Sequence, residues 1–134
     1  MHRIFYVRFD IINSFFHWDG GMRVVSRRGI GFVSQTVYDE YMRLPVDIRA
    51  KTERIVGLIE SYGLENVGMP YVRHIRGKLW ELRAKGKNTT GRSLYVVQDS
   101  EWILILRCFE KKTEKTPKRE IDLAMKRFRE REVD

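Results

Sequence analysis

The sequence changes its hydrophobic period about halfway along. "KLWELRA" (78–84), "SLYVVQD" (93–99) and "EWILILRCF" (101–109) are short runs rich in β-branched and aromatic residues. Only polar stretches separate them: a glycine-bearing loop, "AKGKNTTG", and a tight turn, "QDSE". Three consecutive strands with connections this short fold as an antiparallel meander. Strand alternation in the first run puts Trp80, Leu82 and Ala84 on one face and Glu81 and Arg83 on the other. Trp80 and Trp102 read as core residues of opposite sheet faces, and Tyr95 as core.

The flanking segments have helical period. "VDIRAKTERIVGLIESYG" (46–63) carries Ile48, Ile55, Leu58, Ile59 and Tyr62 along one stripe, with Gly63 as its C-cap. "TVYDEYMRL" (36–44) is a shorter helix with Val37, Tyr41 and Leu44 in phase. Pro45 ends it and suits the first turn of the next. "TPKREIDLAMKRFRER" (116–131) is a terminal helix, with Thr116 as N-cap and Pro117 as its first residue. Its stripe is Ile121, Ala124, Met125 and Phe128. "RRGIGFVSQ" (27–35) holds a short first strand, weakened by Gly29 and Gly31. Two helices, three strands and a final helix on one sheet define an α+β chain. The "DGG" break at Asp19–Gly21 sets off roughly the first 21 residues as an appendage. The expected division is an extension over 1–28 and a domain over 29–134.

At 134 residues and 43% hydrophobic content the chain suits one autonomous domain. It has no apolar run near the length of a membrane span. The N-terminus is interrupted by Arg3, Arg8, Asp10 and His17 and lacks the pattern of a signal peptide. The single cysteine, Cys108, excludes an internal disulfide and reads as a small buried residue in a reduced, cytoplasmic compartment. Charge is uneven. Residues 1–70 hold 9 Lys+Arg against 8 Asp+Glu, whereas residues 71–134 hold 17 against 10. The second half is therefore built for an anionic partner, with a merely solvated basic surface as the plain alternative.

The excess concentrates in "RCFEKKTEKTPKRE" (107–120), where an apolar strand opens into Lys111, Lys112, Lys115, Lys118 and Arg119. This stretch, with "VRHIRGKLWELRAKG" and "GRSLYVVQD", resembles the RelE/HigB superfamily of toxins from bacterial toxin–antitoxin pairs, in its phage-derived HigB-like branch. The most specific elements are "F-x-K-K-T-x-K-T-P" and "G-K-L-W-E-L-R", and the similarity takes in roughly residues 32–129. It implies a RelE-like fold: a twisted antiparallel sheet of three to four strands, two N-terminal helices on one face, and a C-terminal helix. It also implies metal-independent endoribonuclease cleavage of mRNA on the translating ribosome. The implied partner is a cognate antitoxin, expected to carry a helix-turn-helix, that wraps and blocks the toxin. No cofactor, metal or membrane is expected.

Metal-free RNA cleavage uses the substrate's own 2′-hydroxyl as nucleophile. It needs a base, a cation for the charge growing on the phosphate, and an acid for the departing 5′-oxygen. There are three histidines, His2, His17 and His74, and the first two fall in the extension. The base stays open among His74, a carboxylate and a lysine with a lowered pKa. Arg83 ends one strand and Arg92 begins the next, so a meander makes them neighbours able to fork onto one phosphate. The resemblance places Arg92, Arg83, Lys112 and His74 on the family's site positions. Lys78, Lys85, Lys87, Lys111 and Lys115 are the accompanying RNA-binding candidates. Each has a plain alternative: Arg83 paired with Glu81 or Glu110, Arg92 a strand-edge charge, the lysines a solvated helix entry, His74 a structural loop residue. On the catalytic reading, Arg92→Ala abolishes growth arrest without disturbing the fold. The chain departs from the family pattern in carrying Glu81 where RelE proper has lysine. It also has no tyrosine after Tyr95 and carries Arg107 where many relatives have histidine. These departures keep a non-catalytic RNA- or ribosome-binding protein, and a plain antitoxin-binding module, as alternatives.

Overall fold

The computed structural model describes residues 5–9, 14–18, 29–63, 66–98 and 102–131, with backbone alone for 5–9, 14–18, 29 and 102. The element order is β1 (Phe5–Phe9), β2 (Ser14–Trp18), β3 (Gly29–Phe32), α1 (Gln35–Met42), α2 (Val46–Tyr62), β4 (Val72–Arg76), β5 (Leu79–Lys85), β6 (Thr90–Gln98), β7 (Trp102–Lys111) and α3 (Lys118–Glu130). His2 and the side chains of His17 and Trp102 lie outside the described residues, as does most of the "QDSE" turn.

The three expected strands are β5, β6 and β7. They form an antiparallel meander that β4 extends through a tight turn at Gly77, whose φ of 55° suits glycine. The expected all-antiparallel sheet of three to four strands is corrected on its other side. There β3 pairs with β7 in parallel, Gly29 to Trp102 through Phe32 to Ile105, so the sheet is mixed. The sheet has seven strands in the order β2-β1-β3-β7-β6-β5-β4, with the hairpin of residues 5–18 on the outer edge of β3. The parallel pairing follows from the connection. Between β3 and the meander the chain passes through α1 and α2, long enough to return β7 alongside β3 in the same direction.

Both faces of the meander are covered. Ile48, Ile55, Val56 and Ile59 of α2 and Val37 and Tyr41 of α1 are buried with Leu82, Ala84, Tyr95 and Ile105 of the sheet. Tyr62 departs from the expected stripe: at 64% exposed it lies beyond the sheet, and the stripe is completed instead by Thr52 and Val56. Gly91 on β6 lets α2 approach closely, since a Cβ there would stand 2.2 Å from Ile48 Cγ2. The opposite face carries Glu81, Arg83 and Arg92, and α3 returns over it. Ion pairs from Arg107 to Glu120 at 2.7 Å and from Arg76 to Asp122 at 3.5 Å tie α3 to that face.

Past Ile105 the strand β7 outruns β3, and its backbone edge is closed by side chains. Glu40 of α1 accepts the Cys108 amide at 3.1 Å, and Arg127 of α3 donates to the Leu106 carbonyl at 2.9 Å. Glu40 also pairs with Arg107 and Arg127, both at 2.9 Å. This network welds α1, β7 and α3 and occupies an edge that would otherwise template further strands. The C-terminal end of β7 thus projects from a fixed base.

Candidate active site

β5, β6 and β7 run out together at one end of the sheet, where Lys85 pairs with Thr90 and Thr90 with Lys111. Two register rows in, on the same face, Arg83 stands opposite Arg92, so the two arginines are cross-strand neighbours. Beyond Lys111 the chain turns through 112–116 and doubles back over this pair into α3. Lys85, Lys87, Lys112 and Lys115 are exposed, and Lys111 is half-buried. They make a cationic rim around the end of the sheet, interrupted by the exposed carboxylates of Glu110 and Glu114. The Lys87 amide donates to Asp47 at 2.9 Å, which docks the β5–β6 loop on the first turn of α2.

The arginines do not stand open to solvent. Arg92 is 2% exposed, the largest fully buried side chain among the described residues. Its Nη1 donates to the Glu114 carbonyl at 2.7 Å and to the Thr116 hydroxyl at 3.3 Å, and its Nη2 donates to the Thr113 carbonyl. Arg83 donates through Nη2 to the same Glu114 carbonyl at 2.5 Å and through Nη1 to the Glu114 carboxylate at 3.2 Å. Its Nε reaches Glu81 Oε1 at 2.8 Å. The fork expected for a phosphate is closed on the carbonyls of the lysine-bearing turn, and a substrate phosphate meets the turn before it meets the fork.

Glu81 sits beneath both guanidiniums with no exposed surface. Thr116 donates its hydroxyl to Glu81 Oε2, and Arg92 Nη1 lies 3.7 Å from the same oxygen. Burial pushes the Arg92 pKa down and the neighbouring Arg83 charge adds to that, while Glu81 and Glu114 oppose it. Two buried like charges on adjacent strands are tolerable only with such a counter-charge between them. The expected N-cap role of Thr116 is corrected by this contact. Its side chain faces inward to Glu81, Pro117 precedes the helix, and no side chain caps α3.

His74 and Lys78 belong to a different part of the molecule. His74 pairs with Trp80 across β4 and β5, which puts it on the α2 face, opposite to Arg83 and Arg92. Its Nε2 donates to the Gly77 carbonyl at 2.7 Å, and its ring packs edge-on against Trp80 with centroids 4.9 Å apart. Five strand residues, roughly 17 Å, separate the Trp80 row from the Lys85 row. The structure therefore gathers Arg83, Arg92, Lys85, Lys87, Lys111, Lys112 and Lys115 and leaves His74 and Lys78 apart. It adds Glu81, Glu114 and Thr116, which sequence reasoning did not place in the site. The "E-L-R" alternation put Glu81 on the Arg83 face; the inward turn of Thr116 has no local sequence signal.

Among the described residues no group of His, Cys, Asp and Glu is placed to hold a metal ion, and no helix is long and apolar enough to cross a membrane. The model of the phage-derived Gp49-like protein family (DUF891) matches residues 39–129. The chain belongs to this family. It is a RelE/HigB-like toxin family of toxin–antitoxin pairs, and the matched span runs from α1 through α3 and contains every site residue named above. No curated protein matches the chain. Family membership points to an antitoxin as partner.

Proposed function

We propose that this protein is a HigB-like toxin that cleaves mRNA on the translating ribosome without a metal, and that an antitoxin holds it in check. The observation that carries this reading is the convergence of five lysines on the end of the sheet, with the two arginines fixed directly behind them. Lys111 ends β7, and Lys112 and Lys115 ride on the following turn, whose backbone is held from below. They are thereby presented to an RNA phosphate in a defined arrangement, as transition-state stabilisation requires. Lys85 and Lys87 extend the rim along the β5–β6 loop and track the adjoining backbone phosphates. Arg83 and Arg92 support the turn electrostatically, and reach the phosphate themselves only if the Thr113–Glu114 carbonyls give way.

In such a reaction the 2′-oxygen of the RNA attacks phosphorus and the 5′-oxygen leaves. The products carry a 2′,3′-cyclic phosphate and a 5′-hydroxyl. End-group analysis of message cut by the purified protein on ribosomes tests this: 5′-hydroxyl ends are expected, and 5′-phosphate ends contradict the mechanism. A second reading, a protein that binds RNA or the ribosome without cutting it, is favoured by the closed fork and by the distance of His74. Binding with unbroken message would establish it. In either case affinity should fall with salt, because phosphate contacts release counterions. Substituting both Lys111 and Lys112 by alanine should lower the slope of log affinity against log salt by about two.

A further inference from the structure

Glu81 is the group on which the arrangement of the turn depends. It has no exposed surface. Its two oxygens are divided between partners: Oε1 takes Arg83 Nε at 2.8 Å, and Oε2 takes the Thr116 hydroxyl with Arg92 Nη1 3.7 Å away. The other carboxylate in contact with the arginine pair, that of Glu114, is 92% exposed and screened by water. Glu81 is therefore the counter-charge that lets Arg83 and Arg92 stand on adjacent strands. So neutralised, both guanidiniums direct their Nη nitrogens to the Thr113 and Glu114 carbonyls. Thr116 closes the far end of the same turn on Glu81 itself. One buried carboxylate thus fixes the turn at its middle, through two arginines, and at its end, through a hydroxyl.

We infer that Glu81 is a positioning residue: through Arg83, Arg92 and Thr116 it sets the conformation of the 112–116 turn and hence the placement of Lys112 and Lys115 at the RNA phosphate, beside Lys111 at the end of β7. This rests on the endoribonuclease reading for its kinetic consequence but not for its structural one. Glu81 does not touch substrate. Loss of its charge loosens the turn without removing a lysine, so RNA still binds while the reacting phosphate is less well held. Misplacing a catalytic group by about an ångström costs on the order of 10² in rate.

The test uses the full-length protein. Glu81→Gln keeps the shape and a hydrogen-bond acceptor but removes the charge. Thr116→Val keeps the shape and removes the hydroxyl. Both variants are expected to cut ribosome-bound message with kcat reduced on the order of 10²-fold, KM unchanged, and the salt dependence of RNA binding unchanged. The double variant should be no slower than the slower single one, because the two act on one device. Hydrogen exchange should accelerate at the amides of 112–116 and not at those of β6. Wild-type kcat in both variants, or turn amides as protected as in wild type, overturns the inference. If Glu81→Gln does not fold, Thr116→Val decides alone by the same readouts. Should the wild-type protein prove not to cut RNA, the endoribonuclease reading falls while the exchange measurement still decides the role of Glu81.

Discussion

Arg92→Ala separates a surface catalytic arginine from a buried structural one. A residue standing in solvent at the phosphate would leave stability untouched when truncated. Here the guanidinium is 2% exposed, donates to the Thr113 and Glu114 carbonyls and the Thr116 hydroxyl, and faces Glu81. Removing one partner of a buried ion pair costs about 3–5 kcal/mol, because the remaining charge and acceptors stay buried. Glu81 keeps Arg83 and Thr116, which places the loss near the lower end, about 3 kcal/mol. In a chain of 134 residues each kcal/mol is worth about 3–5 °C, so Tm should fall by about 9–15 °C. Circular dichroism melts of the purified variant, with urea midpoints alongside, measure this directly. Arg92→Lys should recover only part of the loss, since a single ammonium answers Glu81 but does not span two carbonyls. A Tm within about 3 °C of wild type for Arg92→Ala would refute the account of the buried fork and restore the guanidinium to the surface role expected from sequence. Loss of growth arrest in this variant is therefore informative only beside a melt.

Three further outcomes follow from the packing. Gly91→Ala should destabilise by about 1–3 kcal/mol, because the new Cβ meets Ile48 Cγ2 at 2.2 Å; added to Ile48→Ala it should cost nothing more, as measured by a double-mutant melt series. Burial pushes the Cys108 thiol from its ordinary value near 9 up to about 12, so the native protein should resist iodoacetamide at pH 8 and react once unfolded; this raised pKa stabilises the fold fully below pH 9, a contribution lost as pH climbs from 9 towards 12, visible as a falling urea midpoint. A chain starting at Met22 loses the β1–β2 hairpin from the outer edge of β3 and keeps the pairing of β3 with β7, and is expected to fold with Tm lowered by less than about 8 °C; a larger fall would show that the hairpin contributes substantially to the stability of the domain.

The meander was legible because three runs of strand period with short connections allow little else, and the same alternation placed Arg83 opposite Arg92. The long helix was legible from its stripe and from Gly63, which does cap it with φ 89°. Local pattern does not reveal partners distant in sequence. The parallel join of β3 to β7 spans some seventy residues, and nothing in "GIGF" specifies a neighbour. Glu40 reads as one of several charges on a polar helix face, yet it closes the free edge of β7 through contacts 68 and 87 residues away. Thr116 followed by Pro117 has the form of a helix cap, but a buried acceptor, Glu81, outcompetes the exposed helix amides for its hydroxyl. Arg92 illustrates the same limit. Its position was right, but its burial depends on a turn that folds back from twenty residues downstream, and burial decides whether an arginine meets substrate or holds the fold.

On the endoribonuclease reading, the lysines at the end of β7 and on the following turn act on message. Mapping message 5′ ends transcriptome-wide after brief induction tests it most directly, comparing wild type with a variant carrying Lys111→Ala and Lys112→Ala. New ends within translated reading frames should appear within minutes for the wild type and be absent for the variant, with both proteins folded and equally abundant. An unchanged set of ends in the wild type, or the same new ends in the variant, would contradict the claim.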